Sequence, residues 1–271
     1  MTVLVTGATG HVGSRIVRWL NENGDPREEV RRAGRSPGLD VRFDWADPAT
    51  FGPALQGVRA LYLLPPPGTA DPEAVVVSFL KEARRAGVRR VALLSASAVP
   101  IGSPGLGMLG ARLPEYVPEW AVLRPTWFAS NFTGDHPHAR SIRDNDEIVS
   151  ATGRGRVPFI DPGDIAAVAA RVLTADAPPS NDLVLTGPEA LSFGDVAAIV
   201  SELTGRVVRH RPVSTAELSA IHQRHGLPKP YADLLAAMDL PIAAGSEDQI
   251  TSTVEDITGI PPRSLKQFLT T

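Results

Sequence analysis

Val3-Leu4-Val5-Thr6-Gly7-Ala8-Thr9-Gly10-His11-Val12-Gly13, near the amino end of the chain, decides the fold. A short β-branched run leads into glycines spaced three apart. After them Val12, Ile16, Trp19 and Leu20 recur at helical spacing, and Asn23-Gly24 supplies a stop. The pattern predicts a buried strand that turns directly into an amphipathic helix. Gly7 permits the tight turn, Gly10 lets a ligand's phosphates approach the backbone, and Gly13 permits close helix–sheet packing. The helix start offers unpaired N–H groups and a positive dipole end, which suit a pyrophosphate.

Outward from this turn, short apolar runs alternate with amphipathic stretches, the signature of βαβ units and a parallel sheet. Strands are expected at 29–33, 41–43, 60–64, 91–94 and 121–123. Asp47-Pro48 opens a helix to about 56, and Asp71-Pro72 opens one whose apolar face is Val75, Val76, Phe79, Leu80 and Ala83. Beyond these come a helix at 164–174, a strand at 183–185, and helices at 193–203, 215–225, 231–237 and 264–269. The expected fold is α/β: a Rossmann-type, doubly wound parallel sheet with a smaller, mostly helical lobe. The expected domains are 1–150 for dinucleotide binding, completed by 155–178, and 179–271 as a substrate-binding cap, with Ala177-Pro178-Pro179-Ser180 as linker.

Composition narrows the function. The 271 residues carry a net charge of −3 and no cysteine, which excludes disulfides, thiolate metal sites and a cysteine nucleophile. The balanced charge gives no reason to expect nucleic acid. No apolar run approaches the ~20 residues of a membrane span, and the first one ends in the glycine turn rather than as a signal peptide. A cytoplasmic protein is expected, with homo-oligomerisation left open. The chain has only three lysines, Lys81, Lys229 and Lys266; the other basic residues are arginines.

The end of the second strand reads Arg31-Arg32-Ala33-Gly34-Arg35-Ser36. An acid here would bind a ribose 2′-hydroxyl; Arg35 and Ser36 instead suit a 2′-phosphate, favouring NADP(H) over NAD(H). Asp44, ending the third strand, is placed near the adenine or in a solvated turn.

Leu123-Arg124-Pro125-Thr126-Trp127-Phe128-Ala129-Ser130-Asn131-Phe132, together with stretches 6–13, 43–45, 62–67, 93–96, 157–161, 185–190 and 259–263, resembles the NmrA-like branch of the atypical short-chain dehydrogenases/reductases. Within that branch the chain is similar to bacterial NAD(P)H-dependent reductase-like proteins of the ergot-alkaloid-reductase type. The resemblance covers nearly the whole chain. It implies that Gly7, Thr9, Gly10, His11, Val12 and Arg35 surround the phosphates and adenosine. It further implies Leu64, Pro65 and Pro66 on the adenine-ribose side, Ser95 and Ala96 beside the nicotinamide ribose, and Pro125, Thr126 and Trp127 near the nicotinamide. The substrate would meet Trp127, Phe128, Asn131 and Phe132, with Tyr231 and Met238 added from the cap; core packing is the other reading of these aromatics. The branch contains quinone, enone and imine reductases as well as dinucleotide-sensing regulators.

Many short-chain reductases protonate the product through Tyr-x-x-x-Lys. The tyrosines here, Tyr62, Tyr116 and Tyr231, all lack Lys four residues later, and Pro114 rules out a long helix in 106–118. Candidate proton donors are Ser95, Tyr116, Asn131 and His136, with Ser97 and His138 beside them; solvated loop histidines are the alternative. No metal is expected. Without the dyad, a flat conjugated carbonyl, quinone or iminium is the suited acceptor, since its charge delocalises on reduction. The leading expectation is therefore an NAD(P)H-dependent reductase of a flat aromatic substrate, such as an aromatic polyketide or other secondary-metabolite intermediate. A non-catalytic NAD(P) sensor and a dehydratase or isomerase are the alternatives.

Overall fold

Strand β1 (Thr2–Thr6) runs into the glycine turn, and α1 (Gly13–Asn23) leaves it. The computed structural model describes residues 1–68, 72–178 and 181–270. In chain order there follow β2 (Glu29–Gly34), β3 (Val41–Arg42), α2 (Phe51–Leu55), β4 (Val58–Leu63), α3 (Glu73–Arg85), β5 (Arg90–Leu94), α4 (Leu106–Arg112) and β6 (Glu119–Pro125). Next come α5 (Pro137–Asn145), β7 (Glu147–Ser150), β8 (Arg156–Val157), α6 (Pro162–Thr174), β9 (Asn181–Leu185), β10 (Leu191–Ser192) and α7 (Phe193–Thr204). The last elements are β11 (Arg209–Pro212), α8 (Thr215–Arg224), α9 (Lys229–Ala237), α10 (Asp239–Ala243), α11 (Thr253–Thr258) and α12 (Leu265–Leu269).

Seven strands form one parallel sheet in the order β3-β2-β1-β4-β5-β6-β9. This is the expected doubly wound α/β fold. The strand order reverses direction at β1/β4, so the carboxyl end of β1 lies at the topological switch point, where such sheets bind ligands. The apolar runs explain the burial: Val3, Leu4, Val5, Leu61, Leu63, Val91 and Leu93 are all 0% exposed. Asp47 caps a short 3-10 turn at Pro48–Thr50 by accepting the Ala49 N–H, so the expected helix at 47–56 is in fact two pieces. Residue Asp71, the expected start of α3, lies outside the described residues; Pro72 is the N-cap.

The chain packs as two units. Unit 1 is Met1–Pro125, Pro162–Leu185 and Thr253–Ile260; unit 2 is Thr126–Asp161, Thr186–Ser252 and Pro261–Thr271. These bounds differ from the expected domains. Residues 126–150 pack in the second unit, because β7 pairs with β11 from Glu147↔Arg209 to Ser150↔Pro212. Of the expected linker at 177–180, residues 179 and 180 lie outside the described residues; β9 follows it and pairs with β6 as the sheet's last strand.

In unit 1, Phe79 lies 5.1, 5.4 and 5.0 Å from the rings of Phe43, Trp45 and Phe51. Being wholly buried, Phe79→Ala is expected to cost about 3–5 kcal/mol, because the other rings cannot close over the cavity. Urea titration should show a lower midpoint at unchanged m. A loss below 1 kcal/mol would contradict this packing. Among the described residues no helix is long and apolar enough to cross a membrane.

Candidate functional site

The carboxyl edge of the sheet is built from β1, β4 and β5 outward. The Thr6 hydroxyl donates to the Tyr62 carbonyl at 3.0 Å and accepts the Leu64 N–H at 2.8 Å, stapling β1 to β4 where the turn begins. Gly7 adopts φ +63°, and a Cβ there would lie 2.4 Å from the Leu64 side chain. The Gly10 N–H closes the turn onto the Gly7 carbonyl at 2.9 Å.

The glycines differ in what they tolerate. A Cβ on Gly13 would stand 2.2 Å from the Gly7 carbonyl oxygen and 2.9 Å from its carbon, so α1 rests directly on the turn. A Cβ on Gly10 would meet only that same oxygen, at 3.3 Å. Packing within the protein therefore demands glycine at 7 and 13 but hardly at 10. The space above Gly10 is a cradle that a side chain would fill, which fits a bound pyrophosphate. Val12 and Gly13 open α1, where N–H groups have no intrahelical acceptor. Thr9 and His11 are exposed on the same turn. Arg15, which the sequence did not single out, donates to the His11 carbonyl at 2.7 Å and brings a cation to this helix start. Its position four residues past His11 is the signal that could have found it.

At the end of β2 the arginines divide. Arg31 pairs with Glu29 at 3.1 Å and Arg32 with Asp40 at 2.8 Å. Arg35 and Ser36 are exposed, and Arg35 forms no ion pair or hydrogen bond among the described residues. Asp44 Oδ1 accepts the Ala46 N–H at 3.0 Å, so this carboxylate closes a turn. Trp45 beside it packs into the aromatic cluster.

Leu64, Pro65 and Pro66 lie beyond β4, with Pro65 buried and the other two half-buried. Beyond β5, Ser95 is 9% exposed, and its hydroxyl is buried without a hydrogen-bond partner in the described structure. An unpartnered buried hydroxyl at the carboxyl edge of the sheet calls for an explanation, and a ligand atom there would supply one. Arg124 fixes this corner: it donates to the Ala96 and Ser97 carbonyls at 3.3 and 2.6 Å and pairs with Asp182 at 2.6 Å. Pro125 ends β6, buried.

In unit 2, Thr126 follows at once, its hydroxyl donating to the Pro158 carbonyl at 2.5 Å. Trp127 and Phe128 are half-buried, and backbone bonds from Ile160 N–H to the Trp127 carbonyl (3.0 Å) and from Ala129 N–H to the Ile160 carbonyl (2.8 Å) hold them. Asn131 is half-buried, with no side-chain hydrogen bond among the described residues.

The other candidates have different surroundings. Tyr116 precedes β6, and its hydroxyl accepts from Arg112 at 2.9 Å. It therefore sits at the amino edge, about 20 Å from the glycine turn's edge across a strand of seven residues. Phe132 is 6% exposed, with ring centroids 5.0 Å from Phe159 and 6.0 Å from Phe193, as core. Tyr231 and Met238 are 46% and 41% exposed on α9 and just past it, not packed as helix core.

His136 is not a solvated loop residue. Its Nδ1 caps α5 by accepting the His138 N–H at 3.2 Å. The His138 ring lies 5.7 Å from Phe132 and 5.3 Å from Phe193. Among the described residues no third ligand joins the pair in a metal-holding group. Burial, reinforced by His136, His222 and His210 nearby, pushes the His138 imidazole down to about 3. The folded state therefore keeps the ring neutral while the unfolded chain protonates near 6.5. Its stabilising contribution is complete above 6.5 and is lost as pH falls toward 3, by about 2 kcal/mol at pH 5. His138→Phe is expected to abolish that part of the acid sensitivity. Urea titrations at pH 7 and 5 that fall equally in both proteins would refute the assignment.

No protein-family model matches the chain. It is 42% identical over 271 residues to the uncharacterized oxidoreductase YesF of Bacillus subtilis (strain 168), covering 98% of this chain and 93% of that protein. It is 38% identical over 281 residues to an agroclavine dehydrogenase of Claviceps fusiformis, covering 99% and 96%. Among solved structures, the NADPH-dependent quinone oxidoreductase QOR2 of Escherichia coli, complexed with NADPH, superposes with a TM-score of 0.85 at 23% identity, covering 100% and 99%. The triphenylmethane reductase of Citrobacter sp., complexed with NADP(H), gives 0.83 at 24% identity, covering 100% and 99%. Both structural likenesses speak to the fold.

Proposed function

The chain belongs to the oxidoreductase family of YesF and the agroclavine dehydrogenases, and on that premise we propose that it is an NADPH-dependent reductase of a flat, conjugated carbonyl, quinone or iminium acceptor. Within the short-chain dehydrogenases/reductases we assign it to the atypical, NmrA-like branch. The observation that carries the reading is the pairing of an open cradle above Gly10 with an exposed, unpaired Arg35 at the next strand end. A pyrophosphate and a 2′-phosphate ask for these two features. The complexes of QOR2 with NADPH and of the triphenylmethane reductase with NADP(H) support the choice of cofactor.

When bound, the nicotinamide supplies a hydride. The chain's own residues bind and orient. The amides at the start of α1 hold the pyrophosphate, Arg35 and Ser36 the 2′-phosphate, and Leu64 and Pro66 the adenosine side. The Ser95 hydroxyl, buried and without a partner, donates to a ligand oxygen. Trp127 and Phe128 offer flat apolar surface, and the Asn131 carboxamide offers a donor for a carbonyl oxygen. Tyr-x-x-x-Lys is absent, Lys229 is held by Asp233 and Lys266 by Glu202, and Lys81 shares a groove with Tyr116 at the amino edge, away from the glycine turn, so no lysine-activated tyrosine is assigned to the reaction. An acceptor whose reduced form delocalises its charge needs no strong acid.

A second reading, a non-catalytic NAD(P) sensor, is favoured by that same absence and by the position of Tyr116. The experiment that separates them incubates the protein with NADPH or NADH and a panel of naphthoquinones, anthraquinones and cyclic imines, following loss of reduced-cofactor absorbance. Turnover abolished by Gly10→Asp and reduced by Trp127→Ala supports the reductase. Tight NADPH binding with no turnover on any acceptor leaves the sensor.

A further inference from the structure

Behind the sheet, the last turns of α3 and α4 border a groove of about 650 Å³ lined by Lys81, Arg84, Arg85, Arg112, Glu115 and Tyr116. Its charges do not cancel. Arg112 is spent within the protein, on Glu73 at 2.7 Å, on Glu115 at 3.2 Å and on the Tyr116 hydroxyl at 2.9 Å. Those bonds also engage Glu115, the one carboxylate among the described residues lining the groove. Lys81, Arg84 and Arg85 are exposed, and none forms an ion pair among the described residues.

They are also set against one another. Positions 81, 84 and 85 are spaced three and four apart on one helix face, where like charges repel. Other cations of the chain are paired with a carboxylate nearby in sequence, as with Arg27 and Asp25 or Lys229 and Asp233, which these three are not. One of the repelling groups is held in place: Arg84 Nη1 donates to the Glu115 carbonyl at 3.1 Å, which pins its guanidinium to the groove wall.

We infer that this groove is a second anion site, taking a small phosphate-bearing ligand with two or more negative charges. The unbalanced charge of the wall matches such an anion. Guanidinium forks suit phosphate oxygens, and Lys81 adds a mobile point charge. The volume is that of a small-molecule site rather than of a long acidic segment. The groove belongs to the amino edge of the sheet, beside Tyr116, and the glycine turn to the carboxyl edge, so it is separate from the dinucleotide cradle. Occupancy would relieve the repulsion on α3 and so stabilise unit 1.

The test is thermal unfolding of the full chain in inorganic pyrophosphate, against sodium chloride at matched ionic strength. A saturable rise in Tm of at least about 3 °C beyond the chloride control is expected. Because pyrophosphate would also enter the glycine-turn cradle, the variants are compared in the Gly10→Asp background, which blocks it. There the rise should persist, and it should vanish when Lys81→Glu/Arg85→Glu or the milder Lys81→Ser/Arg85→Ser is added. Any of four results overturns the proposal: a rise no larger than chloride gives, one that disappears in Gly10→Asp alone, one that survives both double variants in that background, or stabilisation by polyglutamate alone.

Discussion

Gly10→Asp is expected to leave the protein folded while raising the Kd for NADPH by at least 100-fold. The structural half rests on what the new Cβ meets: one carbonyl oxygen, Gly7 O, at 3.3 Å, which a shift of a few tenths of an ångström relieves. The binding half rests on charge and space. The side chain would occupy the volume a pyrophosphate requires, and its carboxylate would face that anion at contact range. Two unit charges 4 Å apart at an effective dielectric of 20 repel by about 4 kcal/mol, while a 100-fold loss needs only about 2.7 kcal/mol. Gly13→Ala supplies the contrast. Its Cβ would stand 2.2 Å from backbone, so α1 must lift off the turn, and stability should fall by about 1–3 kcal/mol along with binding. Fluorescence titration with NADPH and a thermal scan of each variant separate the two. If Gly10→Asp bound NADPH within threefold of the parent, the turn would not be the cofactor site.

The strand–turn–helix start was legible because all its determinants are local. The apolar run, the glycine spacing and the helical periodicity lie within the first twenty residues, and the structure keeps them as β1, the turn and α1. The parallel core strands were legible for a similar reason, since strands buried on both faces read as continuous apolar runs. Unit 2 was less so. Strand β11 is Arg-His-Arg-Pro, with no alternation to mark it, and it pairs with a strand some sixty residues earlier. Helix α5 hides its boundaries as well: a histidine caps its start in place of Ser, Thr, Asp or Asn, and Asp146 at φ 53° ends it in place of glycine. Among site residues, Tyr116 was misread because a residue between two elements carries no mark of which sheet edge it serves. Only the direction of β6 settles that. Phe132 stayed open between pocket and core because an aromatic after a sheet's carboxyl edge can equally begin the next core, and its ring packs with Phe159 and Phe193. Arg35 was singled out from its place at the end of the second strand, and the structure adds that its neighbours Arg31 and Arg32 are spent on Glu29 and Asp40.

That division among neighbouring arginines yields the second large effect. Arg35→Ala should weaken NADPH binding by about 10- to 100-fold and alter NADH binding by less than threefold. A hydrogen bond to a charged group contributes about 1.5–3 kcal/mol, and the exposed position of Arg35 puts the expectation toward the lower half of that range. NADH lacks the 2′-phosphate and has nothing there to lose. Salt gives an independent reading. Because the contact is exposed, raising ionic strength should weaken NADPH binding in the parent, and the slope should be shallower in Arg35→Ala. Arg32→Ala is the control: its guanidinium grips Asp40 through 3.0 and 2.8 Å bonds, so its removal should leave the NADPH-to-NADH preference in place. Titrations with both dinucleotides at two salt concentrations measure all of this. Equal losses of NADPH and NADH in Arg35→Ala would show that the residue supports the turn rather than reading the phosphate. A change of preference in Arg32→Ala instead would move the 2′-phosphate contact three residues back along β2.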